Sequence, residues 1–179
     1  ASTNFTTLTP CSVPSGNLAA NITVNSATAR WNPVTGATSY TVRFKLTSSG
    51  TWTTLASTTT TQQNLTGLAG NSQYDWQVLA SCPSGSSAYS ATSQFLTLTP
   101  CGVPGTLSTT SITTTGATIS WGAVATATQY SIRWRIVGTT TWTTVSQAGT
   151  SRILTGLSSA SSYEWQVAAT CPTGTSAFT

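Results

Sequence analysis

Hydrophobic and polar residues alternate along Tyr74-Asp75-Trp76-Gln77-Val78-Leu79-Ala80, with Tyr74, Trp76, Val78 and Ala80 on one face. The same alternation returns at Tyr163, Trp165, Val167 and Ala169. A period of two puts successive side chains on opposite faces, so each stretch predicts a half-buried strand. Ala27, Ala29 and Trp31 read as a second inward face, with Thr28 and Arg30 outward. Tyr40, Val42 and Phe44 read as a third, with Thr41, Arg43 and Lys45 outward. Shorter strands are predicted near 17–24, over 51–55 around Trp52, and over 62–65. After a hairpin at Pro83-Ser84-Gly85-Ser86, residues 87–99 predict a closing strand. Ala117, Ile119 and Trp121 repeat the pattern further on, followed by Tyr130, Ile132, Trp134 and Ile136. The hairpin returns at Pro172-Thr173-Gly174-Thr175. The fold class predicted is all-β.

The pattern occurs twice. Cys11, Trp31, Tyr40 and Trp52 return 90 residues later at Cys101, Trp121, Tyr130 and Trp142. Leu68, Tyr74, Trp76 and Cys82 return 89 residues later at Leu157, Tyr163, Trp165 and Cys171. Two domains of one kind follow, 11–100 and 101–179, each long enough to bury roughly 60–70% of its unfolded surface. Residues 1–10 fall outside both. Residues 1–9 match 91–99, the end of the first closing strand, so they are expected to close a preceding or neighbouring domain. Domain two reaches Ser176-Ala177-Phe178-Thr179 without a closing strand of its own. Reading from Thr179 straight into Ala1 reproduces residues 87–101 in register. Phe5, Leu8, Ala177 and Phe178 are therefore the expected joint of a head-to-tail array. That array is either one continuous chain or subunits exchanging strands, and its interface is open-ended. The plain alternative is a piece whose ends miss the domain boundaries, leaving a sticky strand edge.

Composition changes the picture by what it lacks. Only 4% of the 179 residues are charged, and the net charge of +4 rests on six basic residues against two acids. Nucleic-acid binding needs a dense basic stripe, and none is present. No apolar run is long enough to insert in a bilayer, and no signal peptide is present, so the stretch reads as an internal piece of a secreted protein. Cys11, Cys82, Cys101 and Cys171, two per repeat at equivalent places, read as one disulfide per domain. Cys11–Cys82 and Cys101–Cys171 is the preferred pairing, because about 90 residues is the usual length of an all-β sandwich, in which the first strand is expected to begin at the pole where the strand ending at Cys82 finishes. Reduced buried thiols are one alternative, and a four-thiolate zinc site is another, although no C-x-x-C spacing supports it. Disulfides place the chain outside the cell or on its surface.

Candidate chemistry is sparse. With no His and only Asp75 and Glu164 as carboxylates, one per repeat, neither a general-base pair nor a metal cluster can be assembled. No enzyme activity and no cofactor is expected. The two acids read as cross-strand partners of Arg43 and Lys45, or of Arg133 and Arg135. Trp52, Trp142 and Tyr89, with Phe178 at the place of Tyr89, are candidate ligand-facing aromatics for sugar rings; the alternative is that they cover a sheet edge or fill a joint. Asn4, Asn21 and Asn64 begin glycosylation sequons, so glycans join copies of the chain itself as candidate partners.

Trp31, Tyr40-x-Val42-x-Phe44, the Leu68-to-Tyr74 spacing, then Trp76 and Val78, resemble the fibronectin type III domain, and the set recurs from Trp121 to Val167. The Leu six residues before each Tyr is similar to the tyrosine corner of immunoglobulin-like sandwiches, where the phenol bonds to the backbone of the corner. The cysteines resemble the disulfide-bearing variety of bacterial surface and secreted proteins. No Arg-Gly-Asp stands in the last hairpin, so integrin binding is not implied. The resemblance implies two tandem seven-strand sandwiches and no chemistry of their own. The function expected is a non-catalytic extracellular structural protein, the repeating unit of a surface filament, stalk or adhesin. With almost no linker at Thr97-Leu98-Thr99-Pro100-Cys101, it is expected to be fairly stiff. The alternative is a carbohydrate- or surface-binding accessory module of a secreted enzyme or adhesin.

Overall fold

The structure is a computed structural model and describes residues 3, 4 and 6–179. It divides into two compact units between Thr99 and Pro100.

The first unit is a sandwich of two antiparallel sheets. One contains β1 (Leu18–Ala20), β2 (Ser26–Arg30) and β5 (Gln62–Thr66), in the order β1-β2-β5. The other contains β3 (Ser39–Leu46), β4 (Thr53–Thr54), β6 (Gln73–Cys82), β7 (Gly85–Ser86) and β8 (Ser93–Leu96). Its order is β4-β3-β6-β7, and β8 also pairs with β6. The central pair sets Tyr40 opposite Ala80, Val42 opposite Val78 and Phe44 opposite Trp76. This register brings the inward face of β3 onto the inward face of β6. Between the sheets lie Ala27, Ala29, Trp31, Tyr40, Val42, Leu65, Tyr74, Trp76 and Val78, all buried. Trp31 is the hub, with ring centres 5.4 Å from Tyr40 and 6.5 Å from Trp76, in the tilted geometry that aromatic quadrupoles favour.

The second unit repeats the design. β9 (Ser108–Thr110), β10 (Gly116–Ser120) and β13 (Ser151–Thr155) form one sheet. β11 (Gln129–Ile136), β12 (Thr143–Gln147), β14 (Tyr163–Cys171) and β15 (Gly174–Thr175) form the other. Trp121 is its hub, 5.6 Å from Tyr130 and 6.3 Å from Trp165.

Two differences from the sequence reading have local causes. The first strand is only three residues long, because Asn21 takes a positive φ of 48° and leaves the sheet. Asn tolerates that left-handed conformation better than most residues. Thr28 is buried, not solvent-facing: its hydroxyl donates to Asn64 Oδ1 at 3.1 Å, a polar pair held between neighbouring strands.

Candidate functional site

The four cysteines form two bonds, Cys11–Cys82 and Cys101–Cys171. Each ties the start of a domain to the far end of its middle strand.

Both tyrosine corners are formed. Ala69 N–H donates to the Tyr74 hydroxyl at 2.9 Å, and Ser158 N–H to that of Tyr163 at 3.0 Å. A second phenol latch escaped the sequence reading. Val34 N–H donates to Tyr40 at 2.8 Å, and Val124 N–H to Tyr130 at 2.8 Å. The signal for it was present: in both repeats the Tyr stands six residues after a Val in the bend that leaves the Trp strand.

In each unit the larger sheet carries the acid and two of the basic residues. Lys45 lies 3.6 Å from Asp75, and Arg135 lies 2.7 Å from Glu164, as cross-strand neighbours. Arg43 and Arg133 turn instead to the amides opposite them, Nε donating to Gln77 Oε1 at 2.9 Å and to Gln166 Oε1 at 2.8 Å. Asp75 accepts from the Thr47 hydroxyl at 2.7 Å and from Gln94 Nε2 at 2.8 Å. The Thr47 bond, then the Gln94 bond and the nearby Lys45 charge, hold its carboxyl below the ordinary range against the opposing effect of burial.

The aromatics singled out for sugars stand beside guanidinium groups. Arg43 lies 4.5 Å from the Trp52 ring centre and 3.6 Å from that of Tyr89. Arg133 lies 4.6 Å from Trp142 and 3.9 Å from Phe178. Each aromatic–guanidinium contact is worth about 0.5–2 kcal/mol, depending on how far water is excluded. Trp52, Trp142 and Tyr89 are half-buried in these stacks. In domain two, Ala177 and Phe178 belong to the same segment.

The two sandwiches part at the edge of the middle strand. In the first, β8 pairs with the start of β6, setting Phe95 opposite Tyr74 and Ser93 opposite Trp76. Phe95 is 5% exposed, and its ring stacks on Tyr74 at 5.6 Å. Thr97 is 1% exposed; its hydroxyl donates to Ala69 O at 2.7 Å and accepts from Ser72 N–H at 2.9 Å. Its own N–H donates to Ser72 O at 3.1 Å. Leu98 then exchanges backbone bonds with Thr23 and Asn71, both at 3.0 Å.

In the second sandwich, pairing on this edge runs as far as Thr179, whose N–H donates to Val167 O at 3.1 Å. Beyond it, no strand among the described residues pairs with this edge of β14 at its Tyr163 end, whose other edge is paired with β11. A cleft of about 390 Å³ opens there, lined by Ile112, Ala117, Leu157, Ala160, Ser161 and Tyr163. Ile112 is 75% exposed, whereas Ile22, its counterpart, packs against the first core. Tyr163, Trp165 and Leu157 are only half-buried, although Tyr74, Trp76 and Leu68 are buried.

Of the expected joint residues, Leu8 is 67% exposed, and residues 6–10 form no strand. Phe5 lies outside the described residues. Among the described residues no group of three or more His, Cys, Asp or Glu could hold a metal, and no helix is long and apolar enough to cross a membrane.

No curated protein matches the chain. Among solved structures it is similar to the two fibronectin type-III domain segment from chicken tenascin. That match has 20% identity and a TM-score of 0.46, and covers 93% of this chain and 95% of that one. It is also similar to the FN1-FN3 domains of chicken CNTN1, with 20% identity and a TM-score of 0.49, covering 95% of this chain and 65% of that one. The family model described as Fibronectin type III domain matches residues 102–179. The fold is all-β, two tandem immunoglobulin-like sandwiches; the second is the part that the fibronectin type III model matches, and the first has the same strand order with β8 added.

Proposed function

We propose that the chain is a non-catalytic extracellular structural protein, the repeating unit of a bacterial surface filament, stalk or adhesin assembled head to tail. The observation that carries this reading is where the disulfides sit. They close loops of 71 and 70 residues, from the start of each domain to the end of its middle strand. Tension applied along the chain enters at Cys11, crosses the sulfur bridge to Cys82, and leaves through the closing hairpin toward Thr99. The strands between the two cysteines lie off that path. Pulled apart, the first domain can release only the roughly 17 residues after Cys82, about 60 Å at full extension. Without the bridge it would release close to 90 residues, roughly 300 Å. A protein that limits its own extension suits a filament under load.

Single-molecule stretching tests this. Oxidised chains should lengthen by about 60 Å when the first domain gives way, and chains treated with a thiol reductant by about 300 Å. Equal steps in the two states would remove the tension path. Oxidising surroundings are where such bridges persist, which supports a surface or secreted location. As an accessory sugar-binding module the chain would need Trp52 and Trp142 free, and each stands against at least one cationic side chain.

A further inference from the structure

We infer that residues 83–99 of the first domain form a strap that opens and recloses as a unit while the rest of the sandwich stays folded, and that Tyr89 on Arg43 is the latch that sets how often it opens. This rests on the tension path proposed above and names the part that gives way along it.

The strap is separable because the core hardly needs it. Cys11–Cys82 encloses the body of the domain. Every buried core residue of the first domain except Phe95 lies between those two cysteines. So do the strand pairs β2–β5 and β3–β6, which build the two sheets around that core. Within the strap, β7 and β8 pair with β6 alone, so the strap lies on an edge. Between them the ladder gives way to hydroxyls, Ser87 and Ser90 accepting from Ala80 and Val78 N–H. Asn17 ties the body to the strap, its Nδ2 donating to Ser90 Oγ at 2.7 Å, but its Oδ1 is buried with no hydrogen-bond partner among the described residues. An acceptor stripped of water and left unpaired costs energy that opening returns, so this tie is a weak one.

The middle of the strap is held by the Arg43 guanidinium. It lies 3.6 Å from the Tyr89 ring centre and 4.5 Å from that of Trp52, so a ring of the strap and a ring of the body share one cation. Gln77, directly opposite Arg43 across the strands, joins the same contact. Its Oε1 accepts from Arg43 Nε at 2.9 Å, while its Nε2 donates to Ser90 O at 3.1 Å and to Thr92 Oγ1 at 3.0 Å. One arginine and one amide thus hold Tyr89, Ser90 and Thr92 together. The second domain builds the same contact from Arg133, Gln166 and Phe178. A latch common to Tyr and Phe uses the ring and not the phenol oxygen. β7 pairs with the Cys82 end of β6 and β8 with its Gln73 end, so a pull between Cys82 and Thr99 runs along the strap and loads its bonds to β6 together. They yield in one step, and the body left behind keeps the edge onto which the strap recloses.

Hydrogen exchange of the whole oxidised chain tests this. The Ser87, Ser90 and Thr97 amides, bonded to Ala80 O, Val78 O and Ser72 O, should exchange together and well before those of Trp31 and Leu68 in the body. Tyr89→Ala should speed the first set about five- to thirtyfold and leave Trp31 and Leu68 unmoved. Tyr89→Phe should match the unaltered chain. Leu65→Val, in the core of the body, should do the reverse of Tyr89→Ala, speeding Trp31 and Leu68 and sparing the strap. One rate for strap and body in the unaltered chain would overturn the inference, and so would a Tyr89→Ala chain that speeds both sets alike or neither. Stretching separates the strap from the tension path. A step of about 60 Å that comes sooner at fixed load in Tyr89→Ala supports both. A step of another length, with the strap still exchanging first, would remove the path and keep the strap. A 60 Å step with strap and body exchanging as one would keep the path and sink the strap.

Discussion

Asp75 is one of two carboxylates in the chain and the only one that is buried. Its depressed pKa fixes the sign of its contribution. A carboxyl that ionises more readily folded than unfolded stabilises the fold above its unfolded pKa, near 3.9. That stabilisation is lost as pH falls through the folded value. Asp75→Asn keeps the shape and removes the charge, so the two proteins should differ in denaturant midpoint above about pH 4 and converge as the pH falls further and the carboxyl is protonated. A gap that stays constant down to the acid end would show that the charge contributes nothing. At this scale much was legible in the sequence. Period two placed Asp75 and Glu164 on the outward face, beside the strands that carry Arg43 and Lys45, or Arg133 and Arg135. It could not show that Gln77 and Gln166 would claim Arg43 and Arg133, because that choice depends on which side chain stands directly opposite. Nor could it show the guanidinium stacks on Trp52 and Trp142, which join residues brought together only by sheet pairing.

The closing segment shows how an element departs from its sequence pattern. Residues 87–99 read as one strand, but of them only Ser93–Leu96 is a strand, separated by an interruption from Gly85–Ser86 before it. Hydroxyls replace carbonyls there. Ala80 N–H donates to Ser87 Oγ at 3.0 Å and Val78 N–H to Ser90 Oγ at 3.1 Å, while the Ser87 and Ser90 N–H groups still reach Ala80 O and Val78 O. Ser176 and Thr179 do the same for Ala169 and Val167. The chain thus steps out of the ladder without orphaning the middle strand, and the step carries Tyr89 and Phe178 to the arginines. Four residues, Ser-Ala-aromatic-Ser or Thr, encode this, but hydroxyl bonding leaves no mark in hydrophobic periodicity. Ser90 is buried, so Ser90→Ala leaves the Val78 N–H without its partner in a dry place, at a cost of about 1–3 kcal/mol. Urea unfolding should show that loss in the first domain alone; an unchanged midpoint would mean that water or a shifted backbone serves equally well.

For the molecule as a whole, the two sandwiches are the same design, but only the first has a closing strand, β8, among the described residues, and their stabilities should differ accordingly. The disulfide loops are nearly equal, 71 and 70 residues, so their effect on the unfolded chains cancels in the comparison. What does not cancel is the closing strand. The first domain buries Phe95, an aromatic side chain worth about 1.5–3 kcal/mol. It also makes the Thr97 bonds, each worth about 0.5–1.5 kcal/mol net. The second leaves Ile112 in water and Tyr163 and Trp165 half-covered. Dilute, unassembled chain should therefore unfold in two steps, with residues 101–179 going first, as read by hydrogen exchange along a thermal ramp. One cooperative transition shared by both domains would show that the Phe95 and Thr97 contacts add nothing to the stability of the first sandwich over the second.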